Sequence, residues 1–422
     1  MSGLVIRNVL LEGADAAVDI AVRAGKISAI GADLPTSAEE LNGNGVLLVP
    51  GFVESHLHLD KACILDRCRN ETGTLEGAIS SVAEAKKGFS EEDVYDRGRK
   101  VLEKAITQGT NAIRTHVEID PGIGLTGFHA IQRLKQDFAW ALDLQICVFP
   151  QEGLINNPGT AELLEEALTA GADLLGGCPY TDSDPNGQIG CLFEMAERHD
   201  VDLDFHLDFD LDPSWRHLDE IARQTVAFGW QGRVAIGHVT KLSALSRKDL
   251  LEAVQILKSA EIALTVLPST DLFLMGRGSE SLVPRGVAPA HVFHEHGVCC
   301  TVATNNVLNP FTPYGDCSLP RMANLYANVH QLGSAEDLKA CFDMVTAAPR
   351  RLINKAHRIE VGEAATFVAL PAMSGHQIVS EIIRPVWGMK NGKFTFEQAP
   401  ARLMGPLEAQ GRTEERRAAL VP

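Results

Sequence analysis

Several features are missing from this chain of 422 residues, and each absence removes a class of protein. No run of about 18 or more apolar residues occurs, so no membrane span is expected. The start, MSGLVIRNVLLEGADAAVDIAV, has no charged segment followed by an apolar stretch and a cleavage site, so no leader is expected. Basic residues are outnumbered, 38 Lys and Arg against 55 Asp and Glu, for a formal net charge of −17. That balance argues against nucleic acid and anionic membranes as partners and suits a neutral or cationic small substrate better. The nine cysteines are scattered, without CxxC or zinc-knuckle spacing. They read as reduced, mostly buried thiols of a cytoplasmic protein. There is no GxSxG elbow and no Walker A loop. Gly122 to Gly127 matches GxGxxG literally, but the acidic residue needed at the end of the next strand is absent, since Asp143 falls at its start. A glycine-rich loop between strand and helix is the better reading.

What is present is an ordinary globular composition, 45% apolar and 22% charged. Both ends read as short strands with turns: LVIRNVLL, AAVDIAVRAGKISAIG and GVLLVP at one, AATFVALP and VWGMKNGKFTF at the other. Asn391-Gly392 is a hairpin turn signal. Between the ends, apolar strands alternate with helical patterns, the mark of a parallel sheet. Eight strands are expected, over 51–59, 111–119, 143–151, 172–180, 201–209, 233–240, 262–269 and 298–306. Helix starts are signalled by Ser90 to Asp93, Ser246 to Asp249 and Ser334 to Asp337, each with Asp in the usual Glu or Gln position of a capping box. The fold class is therefore α/β: a (β/α)8 barrel over 50–359, with a small composite β-sandwich from 1–49 plus 360–400. Residues 401–422 show little core pattern and read as a tail or an arm on a neighbour; a homo-oligomer is left open.

Barrel enzymes keep their chemistry at the carboxyl ends of the strands. Strand one ends His56-Leu57-His58-Leu59-Asp60-Lys61, and residues i and i+2 of a strand share a face. His56 and His58 can therefore act together on one metal. Alone, HxH is a weak signal. It gains weight because His116, His206 and His238 lie near the ends of strands two, five and six, and Gln151 and Glu152 near the end of strand three. Each isolated ring would need its own partner, whereas convergence on a metal accounts for them together. His291, His294 and His296 read as a solvated surface cluster.

These motifs, VPGFVESHLHLDK, IRTHVEID, LQICVFPQEG, DLDFHLDF, RVAIGHVT and NNVLNPFTPYGD, resemble those of the cytosine deaminase-like branch of the metal-dependent amidohydrolase superfamily, which includes the N-isopropylammelide amidohydrolases. The resemblance spans nearly the whole chain. It implies a hydrolase of C–N bonds in a cyclic amide or amidine, such as a substituted pyrimidine or triazine, working through a metal-bound water. It implies one divalent ion per chain, zinc or iron, on His56, His58 and His206. It gives His238 the role of the group beside the water and Gln151 that of a substrate-binding amide. Lys61, Asn306 and Phe311 complete the expected pocket, with Met275 as a possible extension of its apolar wall. The expected strand four has no lysine to bridge two metals.

The chain departs from that pattern in three places. Asn305 stands where the family has an aspartate that is both ligand and proton acceptor, and Phe209 where the deaminases carry a glutamate. Thr366 replaces an aspartate in the C-terminal sandwich. Asn305 can still coordinate through its amide oxygen but accepts no proton at neutral pH. Three readings follow: a hydrolase with rearranged groups, with His238 as base assisted by Asp60, Lys61 or Asp208; a barrel that binds but no longer turns over; or an Asp-to-Asn variant of an ordinary enzyme. Phe209 counts against the third on its own, because two positions differ together. It also makes one wall of the pocket apolar, which favours a more substituted ring over free cytosine.

Overall fold

The computed structural model describes residues 3–14, 16–355, 357–399 and 401. The tail expected over 401–422 lies, past Ala401, outside them. Five strands open the chain: β1 (Leu4–Leu11), β2 (Val18–Arg23), β3 (Lys26–Gly31), β4 (Glu39–Asn42) and β5 (Leu47–Val49). Three close it: β14 (Phe367–Leu370), β15 (Trp387–Lys390) and β16 (Lys393–Glu397). They form one mixed sheet in the order β16-β15-β14-β5-β1-β2-β3. The amino half of β1 pairs with β4 and its carboxyl half with β5, so the strand changes partner along its length. Its inward residues, among them Ile6, Ile20, Leu48, Phe367 and Trp387, share one apolar core. Asn391 and Gly392 turn β15 into β16 with φ of 50° and 76°, the left-handed pair that a two-residue hairpin requires.

The middle holds the barrel strands: β6 (Phe52–Leu57), β7 (Thr110–Glu118), β8 (Asp143–Phe149), β9 (Leu174–Gly177), β10 (Asp202–Leu207), β11 (Val234–His238), β12 (Ala263–Val266) and β13 (Cys300–Val302). All eight expected strands are present, trimmed at most of their ends, and they pair in parallel in sequence order. Every residue of β6, β7, β9 and β11 is buried. Helices cover the outside and side chains fill the inside, so even the polar residues of β6 and β7, such as Glu54, Arg114 and Glu118, are buried. Ser90, Ser246 and Ser334 cap their helices, and the reciprocal box forms at Ser334 with Asp337.

The eighth strand is shorter than expected. After Val302 the chain leaves regular pairing, and Asn305 takes φ 66°. It still closes the barrel. The Asn305 amide donates to His56 O and the His58 amide to Asn305 O, both at 2.9 Å, around a bridge between Leu57 and Asn305. At the other end of the seam the chain from the last barrel helices fills in: Val302 N–H reaches Met344 O and Val53 N–H reaches Val345 O.

Candidate active site

Strand ends β6, β10, β11 and β13 deliver the expected groups to one place. The His206 Nε2 atom lies 3.0 Å from His56 Nε2 and 3.1 Å from His58 Nε2. All three rings are buried. Gly237 allows this on β11: a Cβ there would stand 3.3 Å from the His56 ring. Burial first, then the neighbouring cations and imidazoles, pushes the basicity of all three well below that of ordinary histidine, so the cluster is neutral. His56, His206 and His238 also offer ring nitrogens within 4.8 Å of one another.

The donor set fits a divalent cation. The Asn305 Nδ2 group donates to Thr270 Oγ1 at 3.0 Å, which leaves Asn305 Oδ1 buried without a partner. Neutral imidazoles held this close cannot all satisfy one another, whereas a cation accepts each lone pair. A tetrahedron with arms of ~2.05 Å has edges of ~3.3 Å, close to the observed spacings. A second buried group, His56, His116 and Asp204, lies deeper. There His116 stacks on His56 at 3.8 Å, with Nε2 3.5 Å from Asp204 Oδ1. Asp204 also pairs with Arg114 at 2.8 Å. The fourth strand-end histidine thus packs behind the cluster, and His206 Nε2 is the common point of His56 and His58.

His238 is oriented by a residue that sequence reasoning missed. Its Nδ1 lies 2.6 Å from Asp271 Oδ1, and Asp271 is fully buried. Burial raises the Asp271 carboxyl, and His238 opposes that shift. Asp271 follows β12 by five positions in Pro268-Ser269-Thr270-Asp271, and the one available signal was an acid just past the end of a barrel strand. The other ring face of the site is Phe209, stacked on His238 at 3.9 Å. Phe209 and Phe311 share an apolar cluster with Ile64, Val82 and Leu274, with Met275 at its margin.

Lys61 is buried, with Nζ 2.6 Å from Glu118 Oε1, 3.1 Å from Gln151 Oε1 and 4.4 Å from the Phe311 ring centre. Glu118 also meets Lys86, which reaches Asp120 and Glu152 as well. Burial favours the neutral acid at Glu118, but Lys61 and Lys86 outweigh it and hold the carboxyl at about 2. Asp60 accepts the backbone N–H groups of Lys61 and Glu118. Burial and the Glu118 charge push its carboxyl up to about 6. Asn306 accepts from Asn309 Nδ2 at 2.6 Å. Asp208 is engaged elsewhere: its carboxylate accepts the N–H groups of His217 and Leu218 and anchors the start of the following helix. His291 and His296 are half-buried and bonded, to Tyr326 and to Val292 O, which corrects the solvated reading of that cluster.

Strand β9 carries only Leu174-Leu175-Gly176-Gly177. A Cβ at Gly176 would come within 2.8 Å of Asp204 O and of Phe149 Cβ, so neighbouring strands leave no room for a long side chain there.

A closed parallel barrel with a neutral histidine cluster at the carboxyl ends of its strands defines a (β/α)8 barrel enzyme. Comparison with known proteins makes this specific: the profile of the Amidohydrolase family matches residues 87–387, and the chain belongs to that family. It is 26% identical over 404 residues to N-isopropylammelide isopropyl amidohydrolase of Pseudomonas sp. strain ADP, covering 93% of this chain and 96% of that one. It is 27% identical over 357 residues to pterin deaminase of Rhizobium rhizogenes, covering 83% and 81%. Its fold superposes on 5-methylcytosine deaminase from Klebsiella pneumoniae with TM-score 0.91 and 25% identity, covering 96% and 100%. The protein is a hydrolase of non-peptide carbon–nitrogen bonds. Among the described residues no helix is long and apolar enough to cross a membrane.

Proposed function

We propose that this protein hydrolyses an exocyclic or ring C–N bond of a substituted, oxo-bearing pyrimidine- or triazine-like ring, with one divalent ion held by His56, His58 and His206 and approached by Asn305 Oδ1. The observation that carries this reading is the meeting of three buried, neutral imidazoles at His206 Nε2. The ion would supply an acidified water and polarise the scissile carbon. The chain's own groups do the rest. His238, with Nδ1 tied to Asp271, offers Nε2 as the proton acceptor that Asn305 cannot be. Its stacking on Phe209 fixes the ring plane. Lys61 and Gln151 orient the substrate ring, Phe209 and Phe311 form apolar walls, and buried surroundings exclude bulk water. Asp208 is a scaffold for the loop after β10. The relatives named for N-isopropylammelide, pterin and 5-methylcytosine chemistry support a flat nitrogen heterocycle as the substrate class.

The test is metal analysis joined to a screen of amino- and alkylamino-substituted heterocycles for release of ammonia or amine. About one ion per chain, lost in His206→Ala, together with turnover lost in His238→Ala at full metal occupancy, is the expected result. Tight binding of a heterocycle without metal and without turnover would instead favour a barrel that has become a binding protein.

A further inference from the structure

At the amino end of the barrel, away from the histidine cluster, a cavity of about 600 Å³ lies between the barrel and the terminal sheet. Leu11, Leu48 and Ile359 give it apolar walls. Arg350 also lines it and is only 6% exposed. The hydrogen bonds of this guanidinium all leave from Nη2, to Pro50 O at 2.5 Å, Gly51 O at 3.3 Å and Asn111 Oδ1 at 2.6 Å. Each of these acceptors is neutral, and Nε is buried without a partner. Among the described residues no carboxylate pairs with Arg350. Asp143, whose charge it feels, is bonded instead to Lys390 at 2.9 Å. Burial pulls the guanidinium down to about 10, against that charge. A buried cation without a counter-charge is costly. Two more arginines line the same cavity. Arg351 has no carboxylate partner among the described residues, and Arg358 meets Glu360 at 3.5 Å in solvent. The other acid of the lining, Glu12, accepts the Gly375 N–H. His357, held below ordinary histidine by burial, donates to Thr366 O at 2.7 Å.

We propose that this cavity binds a small organic carboxylate, with Arg350 as its buried anchor and Arg351 and Arg358 at its rim. The uncompensated arginines set the charge of the ligand, and the apolar walls set its body. A compact apolar frame lies against Leu11, Leu48 and Ile359 while its carboxylate meets the guanidinium groups. Inorganic phosphate offers the charge without the frame. The site is separate from the histidine cluster. Gly51, whose carbonyl Arg350 holds, stands five residues before His56, about 16 Å along an extended strand. An occupant therefore sits behind β6, the strand that leads to His56 and His58.

The experiment is calorimetric titration of the full-length, metal-loaded protein, at fixed ionic strength, with benzoate, its neutral counterpart benzamide and inorganic phosphate. Benzoate is expected to bind at least about tenfold more tightly than either of the others. Ala347→Glu puts a carboxylate at an exposed position of the cavity wall. It should weaken benzoate at least about tenfold while C–N hydrolysis stays unchanged. Arg350→Met should abolish benzoate binding too; because that change also releases the start of β6, Ala347→Glu carries the test if Arg350→Met does not fold. Benzamide or phosphate binding as tightly as benzoate overturns the proposal. So does benzoate affinity undiminished in Ala347→Glu, which places the anion elsewhere, as at the metal. Absence of saturable benzoate binding up to about 10 mM overturns it as well.

Discussion

Asp271→Asn separates orientation of His238 from mere packing. The wild-type contact is short, 2.6 Å, and both partners are buried. As His238 takes a proton, an imidazolium forms beside a carboxylate with charge centres roughly 4 Å apart, worth about 4 kcal/mol at an effective dielectric near 20. At about 1.36 kcal/mol per tenfold, losing that stabilisation corresponds to roughly a thousandfold in rate, within the ~10²–10⁴ range typical of acid–base catalysis. An amide at 271 keeps the volume, removes the charge and can hold the ring in the wrong tautomer. The expected outcome is a fall in kcat of roughly 10²–10³ with KM within about twofold and metal content unchanged. In the metal-free protein, the low-field imidazole N–H resonance expected of the His238–Asp271 pair should vanish. A variant within about threefold of wild type, or one whose loss follows its metal content, would refute the reasoning.

Other consequences are measurable on the same protein. Asn305→Asp adds a charged ligand, and the Thr270–Thr312 hydroxyl pair at 2.6 Å can reverse its donation to receive it; metal should leave more slowly to a chelator, while turnover of the native reaction does not rise. A gain of orders of magnitude would mean that Asn305 is a lesion in an ordinary enzyme. Arg114→Met should cost ~3–5 kcal/mol in denaturant unfolding, because it leaves the Asp204 charge buried with His116 as its one remaining neighbour; a loss under 1 kcal/mol would show that the barrel interior is wetter than its burial implies. Glu54 gives a pH signature. Burial, opposed by the Thr304 and His56 N–H groups, raises its carboxyl to about 7 from 4.5. Between those values the unfolded chain has released the proton that the fold retains, so stability falls as pH rises, by at most roughly 3 kcal/mol, and is flat above pH 7. Metal-free Glu54→Gln should show a shallower slope in thermal unfolding between pH 4.5 and 7, the raised Asp60 carboxyl still contributing; an unchanged slope would locate its source elsewhere.

Much of the architecture was legible because it is local. Buried parallel strands show as apolar runs, and the Ser-x-x-Asp starts at Ser90, Ser246 and Ser334 mark helices by their own hydrogen bonds. His56 and His58 declare a shared face through a two-residue spacing. The groups that set the chemistry around them are joined across the chain instead. Asp271 meets His238 from 33 residues away, and Lys86 meets Glu118 and Asp120 from the end of the first helix after β6. No periodicity encodes such pairings. Asp208, two residues past a histidine on a strand, had the spacing of an active-site acid, yet two backbone N–H groups claim it. The short eighth strand was over-read for a related reason: β-branched residues favour extension, but the left-handed turn at Asn305 is set by closure of the barrel.

That closure has a kinetic meaning. The hydrogen bonds that join the first and last barrel strands link residues 56 and 58 to 305, so nearly the whole of the barrel sequence lies between their partners. Such contacts form late, because the intervening chain must be ordered before they repay its loss of freedom. The cluster of His56, His58 and Asn305 therefore comes into existence only with the final stitch. An ion that binds the finished cluster and not the open chain would act as a clasp, holding the closed form by about 4 kcal/mol when present at a thousand times its dissociation constant. Amide exchange at Asn305 and His58 is then a gauge of metal supply, opening first when the ion is withdrawn, ahead of the strands on the far side of the barrel.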